Sequence, residues 1–160
     1  MLLYVKEMDE IFAEEILSWK YEAPYDFYNN EYSVDAVREL MNHSYSAVLD
    51  EQDEIFGFLC IGESAQVPIG IDFGAYPKGF IDVGIGMNPV FTGQGRGLTF
   101  LTFILNYIKG VYGDAPLRLT VAVFNSRAIH LYEKLGFVKE KEFTRGDIVF
   151  ITMIRVFKET

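Results

Sequence analysis

Apolar and polar residues recur with two different periods along this chain. In some segments apolar residues return every three or four positions, which predicts a helix, and in others they form short runs bounded by turn residues, which predicts a strand. These patterns predict, in chain order, a strand Leu2–Val5, a helix Asp9–Trp19, a second helix capped by Ser33, strands Tyr45–Leu49, Ile55–Gly62 and Phe80–Met87, a helix Gly97–Lys109, a strand Leu117–Phe124, a helix Ser126–Leu135, and strands Phe137–Phe143 and Ile148–Phe157.

The order of these elements predicts an α/β protein with a mixed, mostly antiparallel sheet and helices on both faces. Short polar turns join the middle strands and the last two strands, so these pairs should be antiparallel. The strand–helix–strand segment from Phe80 to Phe124 should instead form a parallel pair with a right-handed crossover. Two segments rich in aromatic, glycine or proline residues, Tyr21–Tyr32 and Glu63–Gly79, are interpreted as loops. Because no linker or repeat occurs, residues 1–160 are interpreted as a single domain.

Composition and charge argue against several classes of protein. Half of the residues are hydrophobic and 16% are aromatic, so the chain can build a core and disorder is not expected. The net charge of −9 argues against nucleic acid as a partner, and no apolar run reaches the roughly 20 residues that span a bilayer. The N-terminus lacks the features of a signal peptide and Cys60 is the lone cysteine, which together predict a cytoplasmic protein. Since His43 and His130 are isolated, no metal site is expected.

The segment from Gly84 to Gly97 carries the most specific signal in the chain. An apolar strand runs into Pro89, and glycines then stand at every second position, with Gly93 and Gly95 preceding Gly97 at the start of an apolar helix. Glycines at a helix N-terminus leave backbone N–H groups uncovered, which favours the binding of a phosphate. The segment therefore predicts a phosphorylated cofactor.

Two common types of glycine-rich phosphate loop do not match this pattern. The phosphate loop of nucleotide triphosphatases needs a Gly-Lys pair, and its absence here excludes that class. A dinucleotide fold needs the spacing GxGxxG, whereas the spacing here is GxGxG, and no acidic residue lies about 20 positions further on at the end of a second strand. A tight turn without a ligand is the remaining alternative, although three alternating glycines are costly to order without a function.

The run Ile85-x-Met87-x-Pro89-x-x-Thr92-Gly-Gln-Gly-Arg-Gly97-Leu resembles the cofactor motif of the GNAT superfamily of N-acetyltransferases. In that motif an apolar strand and a proline precede Arg/Gln-x-x-Gly-x-Gly/Ala at the start of a helix. Gly95 and Gly97 match its two later positions. Thr92 departs from the motif because Arg or Gln is usual there, which weakens one expected contact, although a threonine hydroxyl can also donate to a phosphate.

A second block resembles the next motif of the same superfamily, Asn-x-x-Ala-x-x-x-Tyr-x-x-x-Gly-Phe. Every fixed position is present, as Asn125, Ala128, Tyr132, Gly136 and Phe137. Asn125 is also a natural helix N-cap. Because the two blocks follow each other in the superfamily's order, the resemblance implies an N-acetyltransferase that transfers an acetyl group from acetyl-CoA to a primary amine.

The resemblance also implies where acetyl-CoA binds. The strand that carries the glycine loop would splay away from the next parallel strand, with acetyl-CoA in the resulting V. Backbone groups of Ile85 and Met87 would pair with the pantetheine arm, Gly86 would suit a bulge, and the loop amides would hold the pyrophosphate. The implied cofactor-binding residues are Ile85, Gly86, Met87, Thr92, Gly93, Gln94, Gly95, Arg96, Gly97, Leu98, Asn125, Ala128 and Tyr132.

Direct attack of an amine on a thioester requires a stabilised oxyanion, a proton for the departing thiolate and an unprotonated amine. The Met87 amide is the candidate oxyanion donor. Tyr132 is the candidate proton donor, the alternative being that it only packs on the sheet. Asp82 is the first candidate for the base and Glu63 the second. Cys60 has no His or cationic neighbour in sequence, so no covalent enzyme intermediate is expected.

The acceptor amine should be recognised by the aromatic loop between the first two helices. Trp19, Tyr25 and Tyr28, together with Glu22 and Asp26, are candidates for a cage around a cation, or alternatively for simple packing on the sheet. Small amines, antibiotics, polyamines, peptide N-termini and lysine all remain open as acceptors.

Two functional alternatives and the assembly also remain open at this point. A non-catalytic acyl-CoA-binding or sensing domain on the same fold is the main alternative function, and an enzyme for a longer acyl chain is a further one. The last strand, Ile148–Phe157, offers an edge through which a homodimer would form.

Overall fold

The computed structural model describes residues 2–156. Within them, seven strands and four α-helices follow one another in the order that the sequence predicts. Two short 3₁₀ helices divide the second predicted loop, and one lies in the first. The predicted end of the last strand, Phe157, lies outside the described residues. The regular elements are β1 Tyr4–Glu7, α1 Glu10–Ser18, α2 Val34–Leu40, β2 Tyr45–Leu49, β3 Ile55–Ile61, β4 Ile81–Met87, α3 Gly97–Tyr112, β5 Leu117–Ala122, α4 Ser126–Lys134, β6 Val138–Arg145 and β7 Ile148–Arg155.

The strands follow the order β1-β2-β3-β4-β5-β7-β6 in a mixed sheet. The predicted parallel pair is confirmed: Ile81–Val83 of β4 lie beside Leu117–Leu119 of β5. The predicted hairpins are antiparallel, both between β2 and β3 and between β6 and β7. The prediction that β7 offers an edge to a partner is wrong, because β5 and β6 occupy its two sides. Such an edge belongs instead to β6, the last strand in the order.

The described chain groups into two compact units. The first unit contains residues 2–60 together with Ile85–Gly97, and the second contains Ile61–Gly84 together with residues 98–156. Strand β4 therefore contributes its first half to the second unit and its last three residues to the first. That residues 1–160 form a single domain stays a prediction.

In the first unit, the two N-terminal helices share a core with β2 and β3. The side chain of Asp9 accepts a hydrogen bond from the Phe12 amide at 2.7 Å, and that of Ser33 accepts one from the Ala36 amide at 3.0 Å. These N-caps satisfy amides that the first helical turn leaves without a partner. The helices bury their apolar faces in one cluster: Met8, Ala13, Ile16, Leu17, Trp19, Leu40, Ala47, Leu49 and Ile55.

In the second unit, a buried ion pair links the two parallel strands. The Arg118 guanidinium donates to both carboxylate oxygens of Asp82, at 2.6 and 2.7 Å, and the Gln66 side-chain amide donates to the same carboxylate at 2.9 Å. Asp82 and Arg118 are 5% and 2% exposed. The bidentate geometry and the added hydrogen bond provide the compensation that a buried pair of charges requires.

The same arginine fixes the long segment before β4. Its third nitrogen donates to the Pro77 carbonyl oxygen at 2.8 Å, and its guanidinium carbon lies 5.1 Å from the ring centroids of both Tyr76 and Phe80. The Tyr76 hydroxyl is also within 2.8 Å of the Thr120 hydroxyl on β5. The segment predicted as a loop is therefore held to the strands by specific polar contacts.

Replacing Asp82 by asparagine is expected to lower the free energy of unfolding by about 3–5 kcal/mol, because it leaves the buried Arg118 charge without its counter-ion. Urea unfolding measures this loss. Glu142→Gln is the control, since it removes a 3.0 Å ion pair with Lys139 that is exposed on both sides, and it should cost less than about 1 kcal/mol. Equal, small losses in the two variants would contradict the structural role of the buried pair.

Candidate active site

The glycine loop before α3 contains two residues with positive φ. Gly93 and Gly95 adopt left-handed conformations, with φ of 75° and 72°, whereas Gln94 and Arg96 between and after them do not. Alternation of right- and left-handed residues turns successive N–H groups towards one concave side, which forms a nest for an anion. The structure thus gives a conformational reason for these two glycines, because other residues rarely adopt such φ values.

Two side chains of this loop bond to the preceding turn and not to the loop amides. The Thr92 hydroxyl donates to the Pro89 carbonyl at 2.8 Å, and the Gln94 side-chain amide donates to the Val90 carbonyl at 3.0 Å. Within residues 2–156, no backbone acceptor is found for the amides from Gly93 to Leu98. The Thr92 hydroxyl was expected to donate to a phosphate. Because it already donates to the Pro89 carbonyl, that contact would require the existing hydrogen bond to break.

Arg96 supplies positive charge beside the nest. Its guanidinium carbon lies 5.3 Å from the centroid of the Phe91 ring, which stacks on Phe56 of β3 at 4.7 Å and 18°. A cation held over an aromatic face is attracted to it and loses part of its conformational freedom. The half-buried Arg96 guanidinium therefore packs against the Phe91 ring.

Asn88, which the sequence analysis did not single out, anchors the start of this loop. Its side chain donates to the Ile55 carbonyl at 3.0 Å and accepts from the Val90 amide at 3.1 Å, and its own amide donates to the Phe56 carbonyl at 2.9 Å. The dipeptide Asn88-Pro89 was the available signal, because Asn-Pro pairs favour turn initiation.

Gly86 lies against an aromatic ring of β3, and the bulge predicted at this position stays a prediction. A Cβ atom at this position would lie 2.1 Å from the Phe58 ring, far inside van der Waals contact. Phe58 in turn packs against Trp19 and Tyr45, with ring centroids 6.1 Å apart in each case. The absence of a side chain at Gly86 thus lets β4 pass directly over an aromatic cluster.

The end of β4 also contacts the aromatic loop, through Tyr21. The Tyr21 hydroxyl donates to the Met87 carbonyl at 2.7 Å, and its backbone amide donates to the Asn29 side chain at 2.7 Å. Burial raises the pKa of the Tyr21 phenol to about 12. The sequence carries no local signal for this contact, because 66 positions separate Tyr21 from Met87.

An alkaline titration tests this burial. Because the folded-state pKa of Tyr21, about 12, exceeds the ordinary value of 10.0, its stabilising contribution is complete below pH 10 and is lost as the pH rises towards 12. Phenolate absorbance should therefore contain a late contribution from Tyr21, and Tyr21→Phe should remove that contribution and leave those of the other tyrosines. The same variant should flatten the loss of unfolding free energy over that range. A Tyr21→Phe titration that coincides with wild type would contradict the burial.

The second predicted motif forms α4 and both of its ends. The Asn125 side chain accepts from the Ala128 amide at 3.2 Å, which confirms the predicted N-cap. At the other end, Gly136 has φ of 92°, its amide donates to the Glu133 carbonyl, and the Phe137 amide donates to the Tyr132 carbonyl, both at 3.1 Å. These two bonds are those of a Schellman C-cap.

This C-cap explains why Tyr132 and the pair Gly136-Phe137 occur together in the motif. The hydrophobic contact that accompanies such a cap is made by the rings of Tyr132 and Phe137, whose centroids are 6.1 Å apart. Tyr132 is 7% exposed. The position of its ring is consequently determined by how the helix ends. Its role as a proton donor stays a prediction.

The structure argues against Asp82 as the base. Both of its carboxylate oxygens accept hydrogen bonds from Arg118, and Gln66 donates to one of them as well. With both oxygens taken by these donors and the residue only 5% exposed, the carboxylate has no open side for an amine. Glu63, the second candidate, is exposed in the 3₁₀ helix that follows β3.

The three predicted substrate residues separate into two groups. Trp19 is 7% exposed and belongs to the core cluster, so the alternative of packing holds for it. Tyr25 and Tyr28 are half-buried at the two ends of the 3₁₀ helix Tyr25–Tyr28. Their role in substrate binding stays a prediction.

Comparison with known proteins identifies the family. A model of the acetyltransferase (GNAT) family matches residues 7–137. Spermidine N(1)-acetyltransferase of Vibrio cholerae is 29% identical over 132 residues, which are 78% of this chain and 67% of that protein. The chain belongs to the GNAT acetyltransferase family. It is an N-acetyltransferase that acts on an amine.

Solved structures confirm the fold. A chimera built on the Vibrio cholerae spermidine N-acetyltransferase superposes with a TM-score of 0.74 at 23% identity, covering 98% of this chain and 96% of the other. A GNAT-family acetyltransferase from Bacillus anthracis gives 0.71 at 14% identity, with 96% and 94% covered. A dodecameric Vibrio cholerae spermidine N-acetyltransferase gives 0.65 at 23% identity, with 96% and 93% covered. Within residues 2–156, no helix combines the length and apolarity needed to cross a membrane.

Proposed function

We propose that this enzyme binds acetyl-CoA through the loop Gly93–Leu98 and transfers its acetyl group directly to a primary amine of a flexible polycation such as a polyamine. GNAT acetyltransferases use acetyl-CoA as co-substrate, and the glycine loop would hold the diphosphate of that molecule. The observation that carries the proposal is the pair of left-handed glycines, Gly93 and Gly95, in a loop whose amides from Gly93 to Leu98 have no backbone acceptor within residues 2–156.

The loop would hold the diphosphate by backbone amides at the positive end of α3. Arg96, which is held over Phe91, adds a positive charge at the same place. Thr92 and Gln94 contribute less than their place in the motif implies, because their side chains already donate to carbonyls of the preceding turn. The remaining cofactor contacts proposed, at Ile85, Gly86, Met87, Asn125 and Ala128, rest on the two family motifs.

Three groups of this chain would act in the transfer itself. The Met87 amide would donate to the oxygen on which negative charge develops. Tyr132 would donate a proton to the departing thiolate, whose parent thiol titrates about 1.5 pK units below a phenol. Because both oxygens of Asp82 are hydrogen-bonded to Arg118, Glu63 becomes the candidate base. It would accept the proton of the amine, directly or through water.

Charge distribution supports a polycationic acceptor. Fourteen of the 23 acidic residues lie in residues 1–60, but only three of the 14 basic residues do. In the aromatic loop, Glu22, Asp26 and Glu31 are all exposed, near the half-buried Tyr25 and Tyr28 in sequence. Acidic side chains with aromatic faces attract ammonium groups. The similarity to a spermidine N(1)-acetyltransferase points to the same class of acceptor.

Thiol release from acetyl-CoA with a panel of amines tests the proposal. Spermidine should give a kcat/KM about tenfold or more above that of a simple monoamine, and added salt should reduce the difference. Asp26→Asn with Glu22→Gln should lower the value for spermidine and leave that for the monoamine unchanged. Asp147→Asn, in the turn between β6 and β7, is the control and should change neither.

The outcomes of this panel separate the candidate functions. Thiol release that is equal for spermidine and the monoamine would overturn the polycationic acceptor but not the enzyme. Stabilisation by acetyl-CoA without thiol release from any amine would instead favour the non-catalytic acyl-CoA-binding alternative. Homo-oligomeric assembly belongs to the same proposal and rests on similarity to the dodecameric Vibrio cholerae enzyme. A cytoplasmic location is also proposed, and it rests on the lone cysteine of the sequence.

A further inference from the structure

One peptide group at the end of β4 is held from both sides. The Met87 carbonyl accepts the hydroxyl of Tyr21 at 2.7 Å, and the Asn88 amide donates to the Phe56 carbonyl at 2.9 Å. These two groups belong to the same peptide plane, because the carbonyl of Met87 is bonded to the nitrogen of Asn88. Since a peptide group is planar and its ω angle is stiff, the two bonds together fix the orientation of the whole plane.

The fixed plane lies next to the amide that is proposed to stabilise the oxyanion. Successive residues of an extended strand direct their N–H and C=O groups to opposite edges. Asn88 faces Phe56 of β3, so the N–H and C=O groups of Met87 project from the other edge of β4. The Tyr21 hydroxyl therefore meets the same edge from which the Met87 amide projects.

The placement of Tyr21 is itself determined by its surroundings. Its ring packs against the core cluster of the first unit, and its amide is bonded to the Asn29 side chain, which closes the aromatic loop at its base. Burial raises the pKa of the phenol, so the hydroxyl keeps its proton over the physiological range. A donor held in this way loses little conformational freedom when it bonds to Met87.

We propose that Tyr21 is a positioning residue for catalysis: by binding the Met87 carbonyl, it holds the Met87–Asn88 peptide so that the Met87 amide is aimed at the developing oxyanion. The inference rests on the proposed function. It also gives the aromatic loop a role in catalysis. If that loop shifts when an amine binds, the hydrogen bond from Tyr21 would move the Met87–Asn88 peptide with it.

Tyr21→Phe is the variant that tests the inference, because it removes the hydroxyl and keeps the ring. Loss of an oxyanion donor typically lowers kcat about 10²–10³-fold, so a donor that is present but poorly aimed should lower kcat about tenfold. KM for acetyl-CoA should stay within about twofold, since the phosphate loop is anchored separately by Asn88. This split between kcat and KM is the readout that a merely structural role would not produce.

Tyr45→Phe is the matched control. Tyr45 is also a half-buried phenol of the first unit, its pKa is likewise raised by burial, and its ring packs on Phe58, but its hydroxyl lies 3.5 Å from the Glu39 carboxylate rather than on β4. Both variants should lower the melting temperature by similar amounts, and only Tyr21→Phe should lower kcat.

The results distinguish failure of this inference from failure of the proposed function. If wild type releases thiol and Tyr21→Phe keeps kcat within about twofold, or if both variants lose kcat equally, the positioning role is overturned and the proposed function stands. If wild type releases no thiol with any amine, the proposed function itself is overturned. A kcat loss confined to Tyr21→Phe supports both.

Discussion

Replacing Tyr132 by phenylalanine is expected to lower kcat about 100-fold, because general acid catalysis typically contributes 10²–10⁴-fold. The proposed proton donor is lost, whereas the buried ring keeps its contact with Phe137. The backbone bonds that end α4 are not affected, since they come from Gly136 and Phe137. Thiol release under saturating acetyl-CoA and amine measures the change, and KM for acetyl-CoA should change little.

A tyrosine on another helix provides the control for this variant. Tyr107 is half-buried on α3, and Tyr107→Phe should leave kcat unchanged. The melting temperature of Tyr132→Phe should also stay close to that of wild type, which would show that its loss of activity is not a loss of fold. If Tyr132→Phe retains full kcat, Tyr132 only packs in the core, and another group must protonate the thiolate.

Replacing both Gly93 and Gly95 by alanine is expected to raise KM for acetyl-CoA about tenfold or more. A residue with a Cβ resists the left-handed conformation by roughly 1–2 kcal/mol, so the loop should relax and its amides should turn away from the shared anion site. No steric clash contributes, because a Cβ at either glycine meets no atom within 4 Å. The effect therefore reports on backbone conformation alone.

Gly146→Ala is the control for the loop variant. Gly146 in the turn between β6 and β7 also has a positive φ, of 58°, and open surroundings. It should show a comparable loss of stability and an unchanged KM for acetyl-CoA. A loop variant whose KM equals that of wild type would mean that the glycines serve only the turn, which is the alternative that the sequence left open.

The parts of the site that the sequence predicts are those determined by neighbouring residues. The Asn125 cap depends on a few consecutive positions and is confirmed. Gly93, Gly95 and Gly136 are likewise set by their immediate neighbours, and each has a positive φ. Strands and helices are predicted for the same reason, because periodicity is a local property. The roles of these residues in catalysis are a separate matter and stay proposals.

The parts that the sequence did not predict depend on contacts between distant positions. In the sequence, Asp82 looks like an ordinary acidic residue near the end of a strand. Only the register of the parallel pair places it beside Arg118, where it forms a buried ion pair. Trp19 is indistinguishable in sequence from an exposed aromatic, yet the packing of Phe58 places it in the core. The bond from Tyr21 to Met87 is of the same kind.

Calorimetric titration of the purified chain with coenzyme A and with pantetheine tests most directly whether backbone amides before α3 hold a diphosphate. Pantetheine carries the thiol arm but neither diphosphate nor nucleotide. Coenzyme A should bind with an affinity about 100-fold or more above that of pantetheine, and the Gly93→Ala/Gly95→Ala variant should lose most of that difference. Absence of heat with coenzyme A, or equal binding of the two compounds, would contradict the account.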